Sequence, residues 1–233
     1  MKNGRSAAER NPAINTNKEC RALLSKVSHE IRNPVALINS FLQLLLSSHP
    51  ELSSDCYFQK IQENMNCLKN LLDELTSYNH SGTLHPEEVN PYLLLQQITA
   101  DAGAALESKK ITLELSKQSA IPRIRLDTLK FQQLCFNLIR NAAEAMPEGG
   151  CIRIFISFDG ENVIIRFSDK GCGIPEEYLP TLFDLFVTHK ENGTGLGLAI
   201  CREIVTAHHG TISVRSREGE GSEFIVRLPL TES

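Results

Sequence analysis

The sequence predicts an α+β fold in two parts, an N-terminal helical hairpin and a C-terminal sandwich with helices on one face of a mixed sheet. Two long segments, 17–47 and 55–79, place apolar residues at helical spacing. Residues 80–91 then carry a glycine and two prolines without any periodicity. After this break, helical stretches and short alternating stretches follow one another, and the chain ends in two strand-like segments.

The first helix, predicted for residues 17–47, contains one anomaly, because Pro34 lies in its middle. A proline inside a helix removes a backbone hydrogen bond and crowds the carbonyl four residues back, which here belongs to Glu30, next to His29. We therefore expect the helix to bend at this point. The apolar stripe nevertheless continues on both sides of the proline, at Leu24, Val27, Ile31, Val35, Ile38, Phe41, Leu42 and Leu45.

The second helix, predicted for residues 55–79, follows a break at 47–54 and carries a stripe of its own, at Phe58, Ile61, Met65, Leu68, Leu72 and Leu75. Two long helices joined by a short loop form an antiparallel hairpin. One hairpin cannot cover both stripes, whereas a second copy would complete a four-helix bundle. We therefore predict a homodimer.

The remainder of the chain reads as a second domain. Helices are predicted at 92–107, 127–146 and about 195–208, and strands at 111–115, 151–158, 162–168, 211–217 and 223–230. Asp159-Gly160 is a hairpin turn signal between two of the strands. The predicted organisation is a polar N-terminal segment, a hairpin, a linker and a second domain, at 1–16, 17–80, 81–91 and 92–233.

Composition excludes several classes of function. A net charge of −4 and an isoelectric point near 6.0 argue against a nucleic-acid binder. Seven scattered cysteines without a CxxC pair indicate reduced thiols in the cytoplasm. A polar start and the absence of a long apolar run predict neither a signal peptide nor a transmembrane segment. The chain is thus expected to be a cytoplasmic protein or the soluble part of a longer or membrane-associated one.

Two asparagines in the second domain form the first candidate site. Asn137 and Asn141 are four residues apart and share one face of a predicted helix. Amide oxygens can bind Mg²⁺, and amide hydrogens can bind phosphate. A solvated polar face is the alternative reading. The opposite, apolar stripe comprises Leu134, Leu138, Ala142 and Ala145.

Two glycine-rich stretches complete the candidate site. The stretch DKGCGIP (169–175) follows a strand, so that a carboxylate there could accept a hydrogen bond from an exocyclic amine, although an ordinary turn is the alternative. The stretch GTGLGLAI (193–200) opens a helix whose bare amides favour phosphate. It matches neither a Walker loop nor the GxGxxG pattern of dinucleotide folds.

In this order and spacing, with LFDLF at 182–186, the three stretches resemble the N, G1, F and G2 boxes of histidine-kinase catalytic domains. The resemblance implies an α/β sandwich of the histidine-kinase/gyrase-type ATPase superfamily, which binds ATP and Mg²⁺ under a lid at 176–192. Asn141 would be the Mg²⁺ ligand. The implied nucleotide contacts are Asn137, Asn141, Asp169, Gly171, Gly173, Lys190, Gly193, Thr194, Gly195, Leu196 and Gly197.

Two further expectations concern the rim of this site. Phe183 and Phe186 are expected to anchor the lid by packing. Many relatives carry a basic residue three positions after the magnesium asparagine, and here that position is Glu144. Arg140 is a candidate replacement for the missing basic contact, and the NAAEAM stretch resembles the nitrogen-regulation and sporulation kinase subgroup.

The stretch HEIRNP (29–34) resembles the H-box of the dimerisation and phosphotransfer hairpin in the same family. The resemblance implies that His29 attacks the γ-phosphoryl group of ATP and passes it to an aspartate of a response regulator receiver domain. A neutral imidazole is nucleophilic at one nitrogen, and Glu30 could accept a hydrogen bond from the other. Asn33, one turn further on, could position a water that hydrolyses the phosphorylated partner.

Three functions remain open at this point. The first is an ATP-dependent protein histidine kinase in two-component signal transduction, and the second is a phosphatase of the regulator that uses Asn33. The third is a relay protein without ATP, which the intact asparagine and glycine motifs disfavour. No sensor segment is visible, so that the input could come from a separate sensor or a small protein inhibitor.

Overall fold

The computed structural model describes residues 12–118, 120–190 and 193–230, and it omits the side chains of residues 12–23, 25 and 29. The chain divides into two compact units, Met1–Asn79 and His80–Ser233. Among the described residues, no helix is both long and apolar enough to cross a membrane. Each unit has its own architecture.

The first unit is a helical hairpin. Helix α1 (Pro12–Ser48) and helix α2 (Cys56–His80) are joined by a 3₁₀ helix at Pro50–Ser54. Helix α1 begins earlier than predicted, within the polar N-terminal segment at 1–16, and residues 1–11 of that segment lie outside the described residues. Asp55 ends the connection and caps α2, because its Oδ1 accepts hydrogen bonds from the N–H groups of Tyr57 and Phe58 at 2.9 Å.

The apolar stripes of the hairpin are only partly covered. Val35, Phe58 and Leu72 are buried at 3–5% exposure. Five further stripe positions are half-buried, namely Leu24, Leu42, Met65, Leu68 and Leu75. The remaining six stay open to solvent at 40–60% exposure, namely Val27, Ile31, Ile38, Phe41, Leu45 and Ile61. A single hairpin therefore leaves a long apolar face that it cannot bury by itself.

Helix α1 continues through Pro34 without interruption, as predicted, and the bend expected there stays a prediction. A tertiary contact stabilises the helix two residues before the proline. The Arg32 guanidinium donates to Asp73 Oδ1 at 3.0 Å, to Thr76 Oγ1 at 2.9 Å and to the Leu72 carbonyl at 3.4 Å. Arg32 thus joins α1 to α2.

The second unit is a sandwich of three helices on one five-stranded sheet. The helices are α3 (Pro91–Glu107), α4 (Thr128–Glu144) and α5 (Gly197–Ala207). The strands are β2 (Ile111–Lys117), β4 (Gly150–Phe158), β5 (Asn162–Asp169), β6 (Thr211–Arg217) and β7 (Gly221–Pro229), in the order β2-β4-β5-β7-β6. Only the β2–β4 pair is parallel, so that the sheet is mixed as predicted.

The core lies between the helices and one face of this sheet. Alternate residues of the two central strands β4 and β5 are at most 2% exposed, namely Ile152, Ile154, Ile156, Val163, Ile165 and Phe167. Phe131, Leu134 and Leu138 of α4 are equally buried and face them. This burial fixes the rotation of α4 and therefore decides which of its residues stay at the surface.

Two strands were not predicted. Strand β1 (Glu87–Val89) lies inside the segment that we predicted as a linker, and it pairs antiparallel with β3 (Ile124–Leu126). Both strands have three residues, too few for an alternating pattern to stand out. The ladder holds the chain before α3 against the chain before α4, and so this part of the linker belongs to the second unit.

A buried histidine supports the start of α4. Asp127 caps this helix through a hydrogen bond from Lys130 N, and its other oxygen accepts His85 N at 2.8 Å. The N–H of Asp127 donates to His208 Nε2 at 2.9 Å, and His208 Nδ1 donates to the Ile204 carbonyl at 2.8 Å. Both ring nitrogens are engaged only when the imidazole is neutral.

We expect acid to destabilise this unit through His208. Burial lowers the pKa of His208, against opposing contributions from the Ile204 carbonyl and Asp127, while the neighbouring His209 lowers the pKa further. Below pH of about 6.5 the unfolded chain binds the proton more readily than the folded one, so that stability falls as pH decreases. Urea titrations at pH 8 and pH 5.5 check this.

The His208→Gln variant should lose much of that pH dependence. The variant should also be less stable at pH 8, by about 1–3 kcal/mol, because the substitution disturbs the two hydrogen bonds of the ring. His49→Gln, at an exposed position in the first unit, is the control and should behave like the wild type. An equal pH dependence in His208→Gln and wild type would contradict the assignment.

Candidate functional site

Residues spaced by four along α4 and just beyond its end contact the lid and the two glycine-rich stretches, which we call the first (169–175) and the second (193–200) glycine loop. Asn137 Nδ2 donates to the carbonyl of Gly197, at the start of α5, at 3.4 Å. Asn141 Oδ1 accepts a hydrogen bond from Lys190 Nζ at 3.3 Å. The Ala145 carbonyl accepts Cys172 N at 3.0 Å. Asn137 thus contacts the second glycine loop, Asn141 contacts the lid, and Ala145 contacts the first glycine loop.

The prediction that Ala145 belongs to the apolar stripe of α4 was wrong. We expected it on the apolar stripe with Leu134, Leu138 and Ala142, which are buried. The structure instead leaves it half-buried and in contact with the first glycine loop. The i+8 spacing from Asn137 is the signal that could have revealed this position.

Asp169 occupies the end of β5 and is 8% exposed. Its Oδ1 accepts a hydrogen bond from Gly171 N at 2.8 Å. Burial raises the pKa of this carboxyl, and hydrogen bonds from the backbone of Gly171 and Ser222 offset only part of the effect. A buried carboxylate that costs the fold free energy is a sign of function at that position.

The first glycine loop is packed tightly between two elements. A Cβ added to Gly171 would lie 2.5 Å from the Ala145 carbonyl oxygen. A Cβ on Gly173, which has a φ of +67°, would clash with the Arg217 carbonyl. Gly219 N also donates to the Cys172 carbonyl at 2.7 Å. These glycines therefore have a packing role besides the predicted approach to a flat ring.

Gly173→Ala should destabilise the second unit by about 1–3 kcal/mol, because it adds a clash and a strained left-handed conformation. Thermal or urea unfolding measures this. Gly103→Ala is the control, because Gly103 has no atom within 4 Å of an added Cβ and lies inside α3. That variant should be more stable by about 0.5–1 kcal/mol. Equal stability of Gly173→Ala and wild type would contradict the packing role.

The second glycine loop combines a packed part with an open part. A Cβ on Gly195 would lie 2.5 Å from the backbone of Phe186, and one on Gly193 would clash with Thr188. Around Gly197, by contrast, the nearest atoms are side-chain atoms of Arg140 and Asn137, at 3.3 Å or more. Gly197 is thus the position of this loop that faces the asparagines.

Thr194 and Leu196 stabilise the second glycine loop. Leu196 N donates to Thr194 Oγ1 at 3.3 Å. The Leu196 side chain is fully buried, so that only its backbone could meet a nucleotide. The helix that follows, α5, directs its N-terminal amides toward this loop, an arrangement that favours anions.

The predicted lid has internal order in its described part. It contains a 3₁₀ helix at Glu176–Thr181, and the rings of Tyr178 and His189 stack at 3.4 Å between centroids. Phe183 packs edge-to-face on Phe224, as expected for an anchor. Phe186 does not serve as an anchor, because it is 52% exposed and has a φ of 62°. Two predicted lid residues, Glu191 and Asn192, lie outside the described residues.

Lys190 and Glu144 form a contact that the sequence did not reveal. The Lys190 ammonium makes an ion pair with the Glu144 carboxylate besides its bond to Asn141. Arg140 Nε lies 4.0 Å from Glu144, and Arg140 Nη2 donates to Asn137 Oδ1 at 3.3 Å. Each asparagine oxygen therefore has a cation beside it.

These residues fit a magnesium–nucleotide complex. The described residues contain no group of three or more His, Cys, Asp or Glu side chains that could hold a metal by itself. Mg²⁺ is usually bound by one or two protein oxygens together with substrate phosphates, and Asn141 offers one such oxygen. The surrounding cations and helix N-terminus suit the phosphates.

In the hairpin unit, the predicted catalytic residues share one stretch of α1. The backbone of His29 is helical, and its side chain lies outside the described residues. Glu30 is exposed, and its carboxylate lies 4.0 Å from Lys26 Nζ. Asn33 is exposed as well. Helical spacing places Asn33 one turn after His29, on a surface open to solvent.

Two family models match the chain. Residues 21–82 match the His Kinase A (phospho-acceptor) domain. Residues 126–232 match the histidine kinase-, DNA gyrase B- and HSP90-like ATPase. The two matches fall on the hairpin and on the sandwich, in the order that the motifs predict.

Individual relatives agree with these models. Sporulation kinase E of Bacillus subtilis (strain 168) is 31% identical over 212 residues, which are 91% of this chain and 29% of that protein. The chain spans 29–48% of the length of the four sporulation kinases that it matches.

Two solved structures also share the fold. Full-length ShkA in complex with AMPPNP has a TM-score of 0.77 and 25% identity, over 91% of this chain and 46% of that one. Histidine kinase ThkA in complex with response regulator protein TrrA has a TM-score of 0.67 and 26% identity, over 96% of this chain and 68% of that one.

Proposed function

The chain belongs to the sensor histidine kinase family, and we propose that it is an ATP-dependent protein histidine kinase of a two-component system. In this proposal His29 accepts the γ-phosphoryl group of ATP. The phosphoryl group then passes to an aspartate of a response regulator receiver domain. The relative ShkA was solved with AMPPNP, which supports ATP as the nucleotide.

The observation that carries the proposal is the set of contacts along α4. Asn137 and Asn141 of α4 contact the second glycine loop and Lys190, and the carbonyl of Ala145, the residue that follows the helix, contacts the first glycine loop. Phosphoryl transfer depends mainly on positioning and on neutralising phosphate charge. An asparagine oxygen for Mg²⁺, a lysine and helix N-terminal amides supply both requirements.

The residues of α1 supply the phosphoryl acceptor. The imidazole of His29 can attack through one nitrogen while Glu30, its neighbour, accepts the proton from the other. Glu30 is exposed and therefore able to turn toward the ring. Asn141 would hold Mg²⁺, which would supply positive charge to offset that of the phosphates.

The proposed partners follow from the hairpin and from one relative. A second copy of the chain would cover the apolar positions of α1 that remain 40–60% exposed, and we propose a homodimeric four-helix bundle on this ground. ThkA was solved in complex with a response regulator, which supports a receiver domain as the phosphoryl acceptor. The input would reach the hairpin from a separate sensor or a small protein inhibitor.

We also propose a cytoplasmic location and the predicted domains, a hairpin at 17–80 and an ATP-binding domain at 92–233, to which strand β1 of the linker is added. Six cysteines in the described part of the chain are free, in keeping with a reducing compartment.

A second activity rests on the exposed Asn33. An amide one turn from the phosphorylated histidine could position the water that hydrolyses a phosphorylated regulator. Asn33→Ala should then keep autophosphorylation and lose dephosphorylation of the regulator. Unchanged dephosphorylation in this variant would remove Asn33 from that role.

The test of the main proposal uses γ-labelled ATP and Mg²⁺. The wild-type protein should acquire label that acid removes and base does not, as expected for phosphohistidine. Asn141→Ala should remain unlabelled, because it loses the magnesium oxygen. Wild-type protein that binds ATP and acquires no label, with or without its regulator, would overturn the kinase assignment.

A further inference from the structure

An ion pair holds the lid lysine at the predicted magnesium ligand. Lys190 Nζ contacts the Glu144 carboxylate and, at 3.3 Å, Asn141 Oδ1. Glu144 and Lys190 are 46 residues apart in the chain, and their side chains are 41% and 50% exposed. The contact therefore joins the described part of the lid to the last turn of α4.

A Mg²⁺ ion at Asn141 would repel the ammonium group that lies nearby. Lys190 Nζ donates to Asn141 Oδ1 at 3.3 Å, so that a metal bound to the same oxygen would be a close neighbour of like charge. Binding of Mg²⁺ there would therefore favour movement of Lys190 away from this oxygen. Phosphate is the group nearby that can receive it, because an ammonium binds phosphate as a point charge.

Glu144 decides how firmly Lys190 is held. It is the only acid that the described structure gives Lys190 as an ion-pair partner, and it also lies 4.0 Å from Arg140 Nε. Arg140 in turn donates to Asn137 Oδ1. The Glu144 carboxylate thus lies near both Lys190 and Arg140. These two cations contact Asn141 and Asn137 respectively.

We propose that Glu144 is a positioning residue that holds the lid against α4 through its ion pair with Lys190. When the magnesium–nucleotide complex binds at Asn141, Lys190 leaves Glu144 and binds the phosphates. The proposal rests on the function proposed above. It gives Glu144 a role at the position where many relatives carry a basic residue. In this chain the basic residue is Lys190 of the lid, and Glu144 of α4 positions it by an ion pair.

The first test measures docking without nucleotide. Hydrogen exchange of lid peptides within 176–190 should be about two- to fivefold faster in Glu144→Gln, the range that one exposed ion pair supports. Lys190→Met should show the same increase, and the double variant should add nothing further. Glu148→Gln is the matched control, because it removes an exposed acid one turn beyond Glu144.

A charge swap separates docking from phosphate binding. The double variant Glu144→Lys with Lys190→Glu keeps the ion pair but places a carboxylate in the lid. It should restore slow exchange of the lid and yet bind magnesium–AMPPNP at least about tenfold more weakly than the wild type, as expected when a phosphate contact becomes repulsive. If the lid of the charge-swap variant exchanged hydrogen as fast as in the single variants, the result would contradict the proposed ion pair between positions 144 and 190.

A second readout follows the nucleotide itself. Calorimetry with AMPPNP and EDTA should show tighter binding to Glu144→Gln than to wild type, by about two- to fivefold, because the lysine is released and a carboxylate is removed. Unchanged lid exchange in Glu144→Gln would overturn the docking role even if the protein autophosphorylates. Failure of the wild type to bind any nucleotide would instead overturn the proposed function and leave the exchange result standing.

Discussion

His29→Gln should reduce phosphorylation from γ-labelled ATP to background while leaving nucleotide affinity unchanged. Glutamine keeps the approximate size and polarity of the side chain but has no nucleophilic ring nitrogen. The nucleotide contacts that we infer all lie in the second unit, His80–Ser233. Labelling with γ-labelled ATP measures the phosphorylation, and calorimetry with magnesium–AMPPNP on the same sample measures the nucleotide affinity.

A nearby histidine provides the control for this substitution. His49 lies between α1 and the 3₁₀ helix, where its ring contacts Glu51 at 3.1 Å, and we assign it no part in the reaction. His49→Gln should therefore become labelled like the wild type. Acid-labile label that persists in His29→Gln would move the phosphoryl acceptor to another residue.

Asp169→Asn should weaken nucleotide binding by about 10- to 100-fold, because hydrogen bonds to a charged group contribute about 1.5–3 kcal/mol. Asparagine can keep the bond from Gly171 N through its own Oδ1. Its amide would, however, present a donor where the adenine amine also donates. Calorimetry with magnesium–AMPPNP measures the change.

The same substitution should leave the nucleotide-free protein as stable as the wild type or more stable. Burial raises the pKa of Asp169 above its ordinary value of 3.8, so that the folded chain binds this proton more tightly than the unfolded chain. Stability therefore falls as pH rises through the interval between the two pKa values, and the ionised carboxylate costs free energy above it. Asparagine removes that cost.

The control for Asp169→Asn is Asp159→Asn, in the turn between β4 and β5. There the carboxylate accepts backbone hydrogen bonds from Glu161 and Asn162, away from the proposed site. The variant should bind nucleotide like the wild type. A loss of both stability and affinity in Asp169→Asn would show that the residue is structural.

Periodicity was sufficient to predict most of the fold. The two hairpin helices and the helices and strands of the mixed sheet lie close to their predicted bounds, because each has a clear apolar face. The β1–β3 ladder escaped prediction because three residues show no pattern. Helix α1 continues through Pro34 as predicted, and Arg32 joins this part of the helix to Asp73 of α2, while the bend expected at Pro34 stays a prediction.

The motifs predicted which residues gather at the site but not how they are connected. Asn137, Asn141 and the glycine loops meet on α4, in keeping with the motif order. The Glu144–Lys190 pair was invisible, because exposed charges far apart in sequence carry no periodic signal. The tight packing of Gly171 and Gly173 against Ala145 and Arg217 was equally invisible, since it depends on tertiary neighbours.

The open apolar face of α1 has a consequence for mass action. If a second copy covers Val27, Ile31 and Phe41, the free energy that stabilises the hairpin includes an association term that grows with protein concentration. The sandwich unit buries its own core and has no such term. Dilution would then destabilise the hairpin, with its proposed phosphoryl acceptor, while the sandwich unit stays folded. The concentration of the protein in the cell would thus set the fraction of chains whose hairpin is folded.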